Sequence, residues 1–187
     1  MKGIIFNILE NFIAHEFDED VYDEAISSLS LLTKDPFVAP GTYANEDFLS
    51  IAQWSAAKVN LTLDEFMLRM GRYSFSQLAE RHPDFVTPHQ HPKPFLKTVD
   101  GMIHVEVRKL YSNTELPAFT YTDLADDQLI ITYFSEKKLY SFMEGLIDGV
   151  ADFFNMPIQQ SHKIYEKNEI EYCDFYLIFG DGRDTEI

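Results

Sequence analysis

Met102-Ile103-His104-Val105-Glu106-Val107-Arg108-Lys109-Leu110-Tyr111 is the stretch on which the fold of this chain turns. Taken from Phe95 to Tyr111 it has helical periodicity: Leu96, Val99, Ile103, Val107 and Leu110 recur on one stripe that would face a core. His104 is not on that stripe. It falls on a flank with Lys97, Gly101 and Arg108, and that flank admits two readings. A solvated histidine is the plainer one. In the other, Gly101, one turn earlier, leaves room for a flat ligand to approach the backbone, and the imidazole is offered to an iron atom. Helical spacing alone does not choose between them.

Further along, Tyr133-Phe134-Ser135-Glu136-Lys137 sets Tyr133, Ser135 and Lys137 on alternate positions, which an extended chain projects to one side. Two hydroxyls and a cation in a row suit two carboxylates held side by side, the arrangement that haem propionates present. An edge strand turned to water fits the same pattern equally well.

The surrounding sequence predicts helices over Ile4 to Phe17, from the acidic cluster Asp18-Glu19-Asp20 to Leu32, from a cap at Asn45 to about Val59, and from a Thr62/Glu65 capping box to about Arg81. Residues 81–94 hold four prolines and read as mostly non-helical. From Phe119 the pattern alternates: Leu129, Ile131 and Tyr133 share one strand face, and Ile130 and Thr132 the other. A helix over Tyr140 to Phe154 and strands near Ile158 to Tyr165 and Tyr172 to Phe179 complete the reading. A helical N-terminal half followed by a mixed antiparallel-sheet and helix half is an α+β arrangement, expected as a single domain over residues 1–187 that encloses a ligand pocket.

At 187 residues and 21.7 kDa the chain is long enough to bury a core and still enclose that pocket. Its sixteen Phe and ten Tyr could line a flat apolar cavity, or simply make a Phe-rich core. Thirty-one acidic against fifteen basic residues give a formal charge of −16, which argues against nucleic-acid binding. The one cysteine, Cys173, has no internal disulfide partner and fits a reducing compartment. No apolar run is long enough to span a bilayer and no cleavage-site pattern follows Met1-Lys2-Gly3-Ile4-Ile5-Phe6, so a cytoplasmic location without membrane association is expected.

Taken together, the Met1-Lys2-Gly3-Ile4-Ile5 start, Gly71-Arg72, the His104 run, Leu116-Pro117, the Tyr133 motif and Gly145-Leu146-Ile147-Asp148-Gly149 resemble the H-NOX family of haem nitric oxide and oxygen binding domains, bacterial relatives of the haem domain of soluble guanylate cyclase. The resemblance implies haem b (iron protoporphyrin IX), with His104 as the proximal iron ligand. Tyr133, Ser135 and Lys137 match the Tyr-x-Ser-x-Arg motif that holds the propionates. Lysine at the third position keeps the charge but loses the planar fork, so a looser grip is expected. Pro117 and Ile5 match residues that press on the macrocycle, and Leu146 is placed with Gly101 in the same cofactor wall.

Phe142 falls where dioxygen-binding members carry a distal tyrosine. A phenyl ring donates no hydrogen bond, so selective binding of nitric oxide over dioxygen is expected, with carbon monoxide as a further possible ligand, unless Ser74 or Tyr140 supplies a hydroxyl. Cys173 and His162 are too few for the zinc site of some relatives, and none is expected there. The implied role is sensing without turnover: gas binding at the haem weakens the iron–His104 bond and shifts the helix carrying it, altering a separate histidine kinase or cyclic-di-GMP enzyme. Two rival readings are a haem-free interaction module on the same fold and a metal-dependent enzyme built on His89 and His91, with His82 and Asp84 nearby.

Overall fold

Residues 1–105, 108 and 116–180 are described by a computed structural model, which has the α+β arrangement. The helices are α1 (Gly3–Glu16), α2 (Glu19–Ser28), α3 (Asn45–Lys58), α4 (Leu63–Arg81), the single turn α5 (Pro83–Val86) and α6 (Pro92–Thr98), which runs on into a π-helical turn, Val99–Ile103. Strands β1 (Ala118–Ala125) and β2 (Gln128–Phe134) precede α7 (Tyr140–Phe153), and β3 (Ile158–Lys167) and β4 (Ile170–Phe179) follow it. The four strands form one antiparallel sheet in the order β1-β2-β4-β3. Alternation sends Leu129, Ile131 and Tyr133 of β2 inward, paired in register with Leu177, Phe175 and Cys173 of β4.

Two apolar cores result. Phe6, Phe12, Phe48, Phe66 and Met70 are fully buried in the first, between α1, α3 and α4, with Ala25 of α2 closing it. Phe75, Phe95, Ile131, Ile147 and Phe175 belong to the second, between the sheet, α6 and α7. Helix α4 contributes to both, with Phe66 and Met70 to one and Phe75 and Ala79 to the other.

The Thr62/Glu65 capping box opens α4 as its sequence predicts. Three other boundaries differ. Helix α2 ends at Ser28 and not at Leu32, because the buried carboxylate of Asp47 on α3 accepts the backbone N–H groups of Leu32 (2.7 Å) and Thr33 (2.9 Å), giving them partners outside a helix. Asn45 is the first residue inside α3, not its cap, and its Oδ1 accepts a hydrogen bond from the Met1 amine. The proline-rich segment 81–94 contains α5 and the start of α6, since Pro83 and Pro92 occupy first-turn positions where a missing N–H is harmless.

Burial pushes the Asp47 carboxyl upward, but hydrogen bonds from Thr33 and Leu32 outweigh this and hold it below the usual carboxylate range. Asp47 therefore contributes stability above the ordinary carboxylate pKa, and that contribution is lost as pH falls through the depressed value. Asp47→Ala is expected to cost about 1–3 kcal/mol by leaving two N–H groups without their acceptor, read as a lower urea midpoint at neutral pH. The wild-type and variant midpoints should converge in acid.

Helices α4 and α7 meet backbone to backbone. A Cβ built on Gly71 would lie 2.2 Å from the Phe142 carbonyl oxygen, and one on Gly145 would lie 2.0 Å from that of Leu68. Beside this crossing, Arg72 of α4 binds both carboxylate oxygens of Asp152 on α7.

Candidate functional site

The π turn decides where His104 points. Its N–H donates to the Val99 carbonyl five residues back, so His104 follows Val99 along the axis and enters the apolar side. A straight α-helix would have left it on the flank with Gly101. The imidazole is accordingly buried, 9% exposed, and stacks on Phe119 with ring centres 5.4 Å apart. Gly101 turns outward instead: it is exposed, lies outside the cavity lining, and a Cβ there would meet nothing within 4 Å. Its expected role as a gap for a flat ligand is thereby corrected. The predicted continuation of this helix through residues 106–107 and 109–111 lies outside the described residues.

Burial pushes the His104 imidazole below its ordinary pKa, against the opposing pull of Asp100 and the Pro117 carbonyl. The ring is therefore biased toward its neutral form, the form that binds a metal. Its Nδ1 is buried without a hydrogen-bond partner among the described residues; the closest carboxylate oxygen, Asp100 Oδ1, is 3.5 Å away.

His104 opens onto a cavity of about 340 Å³ between the two cores. Ile5 from α1, Pro117 before β1, and Phe142 and Leu146 from α7 line it, as do Tyr133, Ser135 and Lys137. Tyr133 reaches it by strand alternation. Lys137 is carried there by a turn beyond the end of β2: Ser135 Oγ accepts the Lys137 N–H at 3.2 Å, and Lys138 takes a positive φ of 49°. Desolvation pushes the Tyr133 phenol upward, so it stays a neutral donor. The walls from α4 and α7 bring only apolar side chains, among them Phe75, Leu78, Phe142 and Leu146.

The two hydroxyls that could have altered this wall are engaged elsewhere. Ser74 donates to the Met70 carbonyl at 2.6 Å within α4, and Tyr140 donates to the Glu171 carboxylate. Neither lines the cavity. Sequence reading missed Phe119 and Tyr121 as wall residues, although both sit on the face of β1 that alternation marks; Phe75 and Leu78 had no signal beyond ordinary helical apolarity.

The histidine-rich loop does not form a centre. His91 Nδ1 accepts the Lys93 N–H as the cap of α6 while its ring packs on Phe179, and the His89 ring packs on Phe95. Among the described residues no group of three or more His, Cys, Asp or Glu could hold a metal ion. The metal-enzyme reading thus loses its geometry. Cys173 is buried in the second core, and desolvation pushes its thiol up to about 12, which marks an unreactive thiol. Among the described residues no helix is long and apolar enough to cross a membrane.

A buried imidazole, an apolar cavity and a hydroxyl-and-cation rim fit a haem, whose iron a single histidine can hold. Residues 2–162 match the haem-NO-binding family. The chain belongs to the H-NOX family. An H-NOX protein from S. oneidensis in the Fe(II)NO state superposes with a TM-score of 0.88 at 29% identity, covering 97% of this chain and 100% of that one. The same organism's H-NOX domain in the Fe(II)CO state gives 0.86 at 30% identity, covering 97% and 99%. An engineered variant of the unliganded Fe(II) H-NOX protein from K. algicida gives 0.88 at 25% identity, covering 98% of each chain. No functionally curated sequence matches. H-NOX domains are haem-based gas sensors and not enzymes, and this H-NOX chain is accordingly a haem-binding sensor domain.

Proposed function

We propose that this H-NOX domain senses nitric oxide at a ferrous haem b and does not form a stable dioxygen complex. The observation that carries the reading is the apolar wall from α4 and α7, with Ser74 and Tyr140 both turned to other acceptors. The haem, when bound, supplies the iron that takes the gas. His104 would hold that iron, the Tyr133 and Ser135 hydroxyls and the Lys137 ammonium would hold the propionates, and Pro117, Ile5 and Leu146 would bear on the macrocycle. Phe142 would offer the gas no hydrogen-bond donor. A polar iron–dioxygen unit depends on a donated hydrogen bond, whereas nitric oxide does not. Carbon monoxide, bound by the S. oneidensis relative, would be accepted for the same reason.

Residues 1–187 would act as one unit, because the cavity is walled by both cores. The signal would pass in the cytoplasm to a separate histidine kinase or cyclic-di-GMP enzyme. The test is the visible absorption of the reduced protein with nitric oxide and, separately, with dioxygen. A response to nitric oxide alone supports the reading; a stable dioxygen complex refutes the selectivity. Phe142→Tyr, which puts a hydroxyl on the same wall, is expected to raise dioxygen affinity by about 10-fold to 100-fold, measured by the same titration.

A further inference from the structure

The π turn that buries His104 also brings a carboxylate to the far side of its ring. Asp100 Oδ1 lies 3.5 Å from His104 Nδ1, the buried nitrogen that has no hydrogen-bond partner among the described residues. Closing that gap to a good hydrogen bond requires a movement of only about 0.3 Å. The turn itself is held against the sheet: the Asp100 N–H donates to the Tyr121 hydroxyl at 3.3 Å, and Tyr121 is anchored on β1. The other polar groups bearing on the ring are the Arg108 guanidinium and the Pro117 carbonyl, of which only the carbonyl could compete as an acceptor.

A carboxylate that accepts the N–H of a metal-bound imidazole selects the tautomer, fixes the ring's rotation and raises its strength as a ligand. We infer that Asp100 is the positioning residue of this site: its carboxylate accepts the Nδ1–H of His104, leaves Nε2 as the nitrogen offered to iron, and strengthens that bond. This rests on the haem reading above. Asp100 touches neither gas nor macrocycle in this account and acts only through His104.

The test is resonance Raman of the iron–histidine stretch in the reduced, haem-loaded protein, with haem affinity measured in parallel. Asp100→Asn keeps the shape and removes the charge; it should lower the stretching frequency and weaken haem binding by about tenfold or more. Asp100→Glu should recover part of both. Tyr121→Phe, which frees the turn without touching the carboxylate, should give a smaller shift in the same direction. An unchanged stretch in fully loaded Asp100→Asn overturns the inference and leaves the Pro117 carbonyl as the orienting group. Failure of the wild-type protein to take up haem overturns the haem reading and this inference together, so the two failures are told apart.

Discussion

His104→Gly should abolish the histidine-ligated spectrum and reduce haem retention by more than about 100-fold, since on the proposed reading it removes the ligand itself, a loss that should exceed the 10–100-fold typical of losing a group that merely supports one. The fold should survive. The imidazole is buried and its Nδ1 has no hydrogen-bond partner among the described residues, so the packing lost with the ring is offset in part by removal of a desolvated polar atom. Glycine within a helix adds about 1 kcal/mol of backbone cost, a modest fraction of the stability of a domain this size. The variant leaves a void bounded by Phe119 and the cavity walls. Free imidazole is expected to enter it and restore much of the spectrum. Absorbance after reconstitution, with and without imidazole, measures the ligand role, and circular dichroism with urea unfolding reports the fold separately. Full haem retention with an unaltered spectrum would remove His104 from the iron.

The second large effect is expected where no ligand is involved. Gly145→Ala places a methyl group 2.0 Å from the Leu68 carbonyl oxygen, 2.8 Å from the Arg72 nitrogen and 2.9 Å from the Gly71 Cα. All three are backbone atoms and none can rotate away, so α4 and α7 must separate. Overpacking of this kind costs about 1–3 kcal/mol, and the absence of a flexible neighbour puts this site at the upper end. Helix α7 carries Phe142 and Leu146, so haem retention should fall with stability. Gly71→Ala wedges the same crossing from the other side, where its Cβ would meet the Phe142 carbonyl at 2.2 Å. The double variant should therefore cost less than the sum of the two, because the first substitution has already parted the helices. Gly101→Ala is the control: with nothing within 4 Å of its Cβ it should leave haem retention unchanged. Urea midpoints of the wild type and the four variants decide the matter.

Elements with strong local chemistry were legible in the sequence. The Thr62/Glu65 box, the alternation of Leu129, Ile131 and Tyr133, and the helix from Tyr140 all stand where their patterns predict. Boundaries set by distant partners were not. The end of α2 depends on Asp47, a residue of another helix, and no local pattern announces that contact. At the site, the rim motif and the apolar wall could be anticipated, but the burial of His104 could not. It depends on one helical turn holding an extra residue, which displaces His104 from the 3.6-residue register. The same turn explains why Gly101 faces outward: the sequence reading extended a straight helix through Asp100 and Met102.

Helix α4 runs for 19 residues, about 28 Å, and is a structural member of both cores. Phe66 and Met70 anchor one end and Phe75 and Ala79 the other, so neither core can loosen while the other keeps a complete lining. The helix is thus the element common to the two halves. Because α4 belongs to both cores that wall the cavity, a change in its packing against one core would bear on its packing against the other, and through Ile5 the cavity also touches α1 directly.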